Sequence, residues 1–256
     1  MPTRSLRQRY WWLRSALRDP DTYPSLFHHL PKAAALRSLR LTTQVGGVKV
    51  RLGPYCSLRV AIEIVAGRYE SQERSLLQGC LEDQDVVLEL GTGIGVVAAL
   101  CARRLGSDRV FTFEANPGLI PTAREIFRLN DVAPRLENCV LGSTEGEMTF
   151  HVERDFWSSS TIKRSANARA VKVPVHSFSE RIRKIRPTVL IVDIEGGEAS
   201  LFDGADLGGV TKIMIELHPH VIGPAGTQHV RDLLRAAGFA PVRELSNGTN
   251  VLFSRT

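Results

Sequence analysis

From Val86 onward the chain alternates short apolar runs with longer stretches in which apolar residues recur at helical spacing. The pattern predicts a strand opening at Val86, a helix over Ile94–Leu105, a strand at Val110–Glu114, a helix over Leu119–Asn130 and a strand at Glu137–Val140. Right-handed crossovers then lay both helices on a parallel sheet. Thr188–Ile194, TVLIVDI, is uniformly apolar and reads as a central strand covered on both faces, with KIMIEL at Lys212–Leu217 beside it,. Alternating segments at Met148–Val152 and Ala170–Val175 flank the polar loop WSSSTIKRSANAR, a hairpin placed as a lid over a ligand mouth,. A helix from Gln228 to Ala237 closed by Gly238, then strands around Pro241–Leu245 and Asn250–Phe253, complete the C-terminal part.

Ahead of Val86 the pattern is looser. VKVRL at Val48–Leu52 reads as a strand, and the stretch Leu58–Glu70 leads into a helix near Glu73–Gln78. RYWWLRSAL, around Trp11 and Trp12, has the apolar spacing of a docking helix with a charged outer face,. Division of the chain is therefore expected into a basic N-terminal extension, residues 1–57, for substrate or dimer contacts, and one α/β domain, residues 58–256.

Charge sharpens that division. The 256 residues carry a formal charge of +6, but residues 1–51 hold ten Lys/Arg against two Asp, while the remainder has a slight excess of acid. The basic character belongs to the arm, and a solvated docking helix fits its interleaved apolar residues better than a nucleic-acid arm does. No run approaches the roughly 18–20 apolar residues of a membrane span, and the N-terminus has no signal-type apolar core, so a cytoplasmic location is expected,. Cys56, Cys80, Cys101 and Cys139 lack CxxC spacing and read as buried thiols, with neither zinc nor disulfides expected,.

The chemistry-bearing turn is VVLELGTGIG at Val86–Gly95, followed by VFTFEANP at Val110–Pro117. A chain that leaves a strand and enters a helix while letting its amides approach a ligand needs glycine, here Gly91, Gly93 and Gly95, with Thr92 between them. Their spacing is G-x-G-x-G, and Val96 stands where a dinucleotide motif carries its third glycine. Glu89, just ahead of the turn, is badly placed for a diphosphate and suited to a cationic amino group. Glu114 ends the next strand, 23 residues after Gly91, where a carboxylate accepts both ribose hydroxyls; Ala115 and Asn116 follow it,. These features favour S-adenosylmethionine (SAM), with S-adenosylhomocysteine (SAH) as product, over NAD.

Ligands of an open parallel sheet bind beyond the carboxyl ends of its strands. Two acidic segments fall there: DIEGGE, with Asp193, Glu195 and Glu198, and IELHPH, with Glu216, His218 and His220. At this point the chain resembles the FkbM family of SAM-dependent methyltransferases, through DIEGGE, the following E-x-H, the glycine turn, FEANP, Tyr69–Glu70 and the polar stretch Trp157–Ser160. Ile191 and Ser179 depart from the family pattern, which often has a lysine and an acid there. The resemblance implies a Rossmann-like class I methyltransferase fold, with a mostly parallel seven-stranded sheet, helices on both faces and an N-terminal helical extension. It also implies methyl transfer to a hydroxyl on a sugar or other natural-product or small-molecule acceptor.

A hydroxyl needs help to become a nucleophile, and Asp193, Glu195, Glu216 and His218 are the available helpers. In one version His218 is the general base, oriented by Asp193 or Glu216. In the other, Asp193, Glu195 and His218 hold a divalent ion such as magnesium. Asp193 is also expected against the cofactor, and Tyr69, Trp157, Ser159 and Glu195 against the acceptor. A competing structural reading has Asp193 and Glu195 capping the next helix. N-methylation of a peptide or nucleic acid, or SAM binding without chemistry, are the alternative functions; nucleic acid is disfavoured because DIEGGE replaces the Asn/Asp-Pro-Pro-aromatic tetrad of exocyclic-amine enzymes.

Overall fold

The computed structural model describes residues 24–53, 55–152, 168–242 and 249–255. It begins with α1 (Pro24–Ser38), an antiparallel hairpin of β1 (Thr42–Val45) and β2 (Val48–Arg51), and two helices, α2 (Leu58–Val65) and α3 (Ser71–Cys80). The stretch leading into the expected helix is thus itself helical, started by Ser57, whose hydroxyl accepts the Val60 amide,. Ala33 of α1 and Val45, Val48 and Val50 of the hairpin are buried in one apolar cluster with α2 and α3. Trp11 and Trp12, with the docking helix and dimer contact expected of them, lie outside the described residues.

The repeating unit follows: β3 (Val87–Leu90), α4 (Val96–Leu105), β4 (Val110–Phe113), α5 (Ile120–Leu129) and β5 (Arg135–Glu137). A second, three-stranded sheet is made by β6 (Val140–Gly142), β7 (Gly146–Val152) and β8 (Arg169–Ser177), in the order β6-β8-β7. The chain then returns through α6 (Phe178–Ile185), β9 (Val189–Val192), the short α7 (Glu198–Leu201), β10 (Lys212–Glu216), α8 (Pro219–Ala236), β11 (Phe239–Pro241) and β12 (Asn250–Arg255). Among the described residues the main sheet has seven strands in the order β11-β12-β10-β9-β3-β4-β5. Its pairs from β10 to β5 are parallel, while β12 runs antiparallel to both β10 and β11.

Period-two alternation divides the side chains of this sheet between two cores. Val87, Val110, Val189, Ile191, Met214 and Leu252 face the helices α2–α5. Leu88, Leu90, Leu190, Val192, Ile213, Ile215, Val251 and Phe253 face α6 and α8. With both faces covered, β3 and β9 have no exposed position: β9 reads as an unbroken apolar run, and Glu89, the one polar residue of β3, is itself buried,. The order of the strands reverses at β3, so the crevice beyond β3, β4 and β9 is the topological switch point,.

Three elements differ from the sequence expectation. The single strand over Glu137–Val140 is two, because the Asn138 side-chain amide donates to the carbonyls of Glu114 and Ala115 at 2.7 and 3.2 Å and breaks the run between sheets. The span α8 begins at Pro219, nine residues earlier than the pattern suggests, and holds two helical segments that meet at Gly223, whose φ of 71° and ψ of 173° are non-helical, with Pro224 next to it. β11 ends at Pro241, where the penultimate strand was expected to begin. The lid loop, with Trp157 and Ser159, falls outside the described residues. No described helix is long and apolar enough to cross a membrane.

Candidate functional site

A cleft of about 450 Å³ opens at the switch point, walled by the ends of β3, β4 and β9 on one side and by the three-stranded sheet on the other. Gly91, Gly93, Glu114, Ala115, Tyr69, Asp193 and Glu195 line it.

Gly91 is glycine for two reasons. Its φ is 91°, and a Cβ would stand 1.8 Å from the Asp193 carbonyl oxygen, where the ends of β3 and β9 come close together,. Gly95 (φ 94°) starts α4 and serves packing: a Cβ there would meet the Phe127 ring at 2.8 Å. Glu114, only 6% exposed, ties the turn to its own loop, accepting the Gly93 amide at 2.8 Å and the Asn116 amide at 2.7 Å. Burial pushes its carboxyl up to about 7 against the lowering effect of those amides,.

Four expected cofactor residues have partners away from the cleft. Glu89 is buried behind the turn, accepting from the Thr112 hydroxyl, and does not reach the cleft. Desolvation raises its pKa to about 8. The Thr92 hydroxyl pairs with the same Thr112, and Asn116 turns its side-chain oxygen back onto the Gly118 amide at 3.0 Å. Neither of these lines the cleft, and Gly95 is covered by Phe127. Tyr69, expected against the acceptor, lines the cleft beside Gly93, its hydroxyl 3.6 Å from where a Cβ would be, with Glu70 next to it.

The second half of the site is built by the ends of β9 and β10. After β9 the chain makes a tight turn through Glu195 (φ 53°) and Gly196 (φ 108°), which carries Glu198 back toward β10. Glu195 holds a left-handed conformation that costs a non-glycine residue on the order of 1 kcal/mol or more. Glu198, with no exposed surface, accepts the Gly196 amide at 3.1 Å and meets His218 Nδ1 at 2.7 Å. His218 Nε2 then faces Glu195 at 3.5 Å, Asp193 at 3.6 Å and Glu216 at 4.0 Å. His218 is 4% exposed, and it and Glu216 sit one layer behind the Asp193 and Glu195 that wall the cleft.

Crowding governs the electrostatics here. Burial and the neighbouring Glu216 hold Asp193 well above the usual carboxylate range, and burial with Glu73 and Glu195 lifts Glu216 to about 7. Burial alone would lower His218, but the hydrogen bonds and charges of Glu195, Glu198 and Asp193 outweigh it and push the imidazole up to about 11. In this arrangement His218 is an imidazolium at neutral pH, without the lone pair a general base needs. The helix-cap reading of Asp193 and Glu195 also fails, since α7 starts after Gly197 with no side-chain cap.

Two residues of this cluster had no assigned role in the sequence. Glu198 is the third acid of DIEGGE, and the run D-x-E-x-x-E was its available signal. Glu73 reaches the cluster from α3, and only the fold brings it there: burial of Glu70 and of Glu216 is aggravated by it.

Taken together, a seven-stranded sheet with an antiparallel seventh strand, a glycine turn at its switch point and an acid closing the next strand define the class: a Rossmann-like SAM-dependent methyltransferase,. Within that class, residues 89–241 match the family described as Methyltransferase FkbM domain, and the chain belongs to it.

Among solved structures the chain is similar to the tRNA (uracil-54, C5)-methyltransferase of Pyrococcus abyssi in complex with SAH, at 14% identity and TM-score 0.46 over 84% of this chain. It spans 42% of that enzyme's length. A methyltransferase from Pyrococcus furiosus (14% identity, TM-score 0.42, 92% of this chain and 98% of that one) is also similar. So is precorrin-6y C5,15-methyltransferase from Geobacter metallireducens (14%, 0.42, 72% and 85%). No curated protein matches the sequence.

Proposed function

We propose that this protein transfers the methyl group of SAM to a hydroxyl of a small-molecule acceptor, a sugar or related natural-product scaffold. The observation that carries the reading is the placement of one buried acid, Glu114, across the glycine turn from a second set of acids in the same cleft. Glu114 suits the ribose hydroxyls of SAM, and Asp193 and Glu195 face the place where an acceptor oxygen would meet the sulfonium methyl. In the reaction the acceptor oxygen forms a bond to the methyl carbon, the carbon–sulfur bond breaks, and its electron pair returns to sulfur as neutral SAH. The hydroxyl proton leaves to solvent as the oxygen becomes nucleophilic. With His218 protonated, activation falls to the carboxylates or to a divalent ion such as magnesium held among them.

N-methylation is the second reading, favoured by the same acid-rich wall, which suits a cationic amine. Calorimetric titration of SAM and SAH, followed by an acceptor screen with a labelled methyl donor, tests both. Micromolar SAM binding and label on hydroxyl acceptors are expected; label on amines alone replaces the first reading by the second. Absence of SAM binding rejects both.

A further inference from the structure

We propose that Asp193, Glu216 and His218 form a binding site for a hard divalent cation, Mn2+ or Mg2+, with Glu198 as the buried carboxylate that orients the imidazole. The assignment rests on, and deepens, the reading of this cleft as a methyl-transfer site.

Spacing is the first observation. One oxygen from Asp193, one from Glu216 and a ring nitrogen of His218 all lie within 4.8 Å of one another. The gaps of 3.6 and 4.0 Å from His218 Nε2 to Asp193 and Glu216 are longer than hydrogen bonds,. They match donors that share one ion at about 2.1 Å, whose mutual distances run from about 3.0 Å for adjacent to about 4.2 Å for opposite ligands.

Orientation is the second. A metal-binding histidine usually donates its other ring N–H to a carboxylate, which fixes the tautomer and aims the lone pair at the ion. Glu198 does this at 2.7 Å from Nδ1, and it has no exposed surface. The strained turn at Glu195 and Gly196 is what brings Glu198 there.

The third is missing counter-charge. Among the described residues neither Asp193 nor Glu216 has a lysine or arginine partner, and Asp193 Oδ1 is buried without a hydrogen bond. Arg74, the neighbour of Glu73 on α3, spends its guanidinium on the carbonyls of Tyr69 and Gly67. Without an ion, the one positive group among these half-buried carboxylates is the protonated imidazole; a divalent cation would displace its Nε2 proton and supply the counter-charge itself,. Two carboxylates with one imidazole suit manganese or magnesium; a thiolate, which would favour zinc, is absent from the cluster,. Because Asp193 also walls the cleft, the ion would lie at its floor, within reach of an acceptor oxygen. Bound there it would lower the hydroxyl pKa so that the proton passes to solvent before the oxygen attacks the methyl group.

Titration of Mn2+ into the full-length protein without SAM, followed by electron paramagnetic resonance of the free ion, tests the site. One Mn2+ per chain is expected at micromolar to about 100 µM affinity, displaced by Mg2+. Asp193→Asn and His218→Ala should each weaken Mn2+ by about tenfold or more, and Glu198→Gln by about 10–100-fold. Circular dichroism of the same proteins shows that each variant is folded. Wild-type protein that binds SAM but no Mn2+ below millimolar overturns the proposal, as does unchanged Mn2+ affinity in both Asp193→Asn and His218→Ala. Stoichiometric Mn2+ binding without SAM binding instead supports the cation site and overturns the methyl-transfer reading.

Discussion

Glu114 follows β4 and Asp193 follows β9, the two strands that flank β3, yet their carboxylates meet opposite surroundings. Glu114 takes two backbone amides, and its neighbour Glu89 takes a threonine hydroxyl. Asp193 faces Glu195, Glu216 and Glu73, with one imidazole among them. Backbone donors are fixed by the fold and can hold an acid in place before any ligand arrives. Several side-chain acids around one imidazolium outnumber the single positive charge among them. The cleft thus has a half that is complete as folded and a half whose charge balance depends on what binds, which is the division expected between a cofactor seat and a reacting centre.

The largest test of that division is Asp193→Ala. It should lower methyl transfer by about a thousandfold or more, near the upper range for groups acting directly on the reacting oxygen, while circular dichroism stays unchanged. Retained turnover in a radiolabelled methyl assay would reduce the acidic half to scaffold and erase the contrast.

Next comes Gly91→Ala. A Cβ 1.8 Å from the Asp193 carbonyl oxygen, at φ 91°, should cost about 2–4 kcal/mol in urea unfolding and cut SAM affinity sharply,. Gly93→Ala meets nothing closer than 3.6 Å and should cost only about 1 kcal/mol, the strain of its positive φ,. Equal losses in the two variants would mean that the close approach of β3 to β9 is not what requires glycine. Glu114→Ala should weaken SAM on the order of tenfold by calorimetry, through lost charge-assisted hydrogen bonds. Unchanged affinity would place the ribose elsewhere.

The smallest effect is one of pH. Glu114 at about 7 and Glu89 at about 8 hold their protons more tightly folded than unfolded, where a glutamate titrates near 4.5. Their contribution to stability is therefore full below about pH 4.5 and is lost as pH rises through 7 and 8. Urea midpoints of the ligand-free protein should fall between pH 5 and pH 8, and Glu89→Gln should flatten part of that slope while changing SAM affinity less than about threefold. A slope that Glu89→Gln leaves intact would assign it to the acidic half instead.

Legibility of the sequence followed the range of the interaction. Strands β3, β9 and β10 were plain because burial on both faces makes their inner positions almost wholly apolar, Glu89 of β3 being the exception. Helices α4 and α5 matched to within two residues, since a glycine start and a glycine or asparagine finish are local signals,. The break between β5 and β6 was hidden, because Asn138 bonds to carbonyls 23 and 24 residues away. The helical turn at residues 219–222 was hidden too, because Gly223 and Pro224 break the helical run between it and the segment that was legible.

The sequence by itself determined the class of fold, the glycine turn, the acid at the end of β4 and the two acidic segments, because each is written in contiguous residues whose spacing has one sensible geometry. Tertiary structure alone decided what those acids do. Glu89 and Asn116 turn inward to Thr112 and Gly118, Glu73 arrives from a helix before the repeat, and Glu198 rather than Asp193 holds the imidazole of His218. A carboxylate's role depends on which donors and charges stand within about 4 Å of it. In a sheet whose strand order reverses, those neighbours come from segments that lie far apart along the chain.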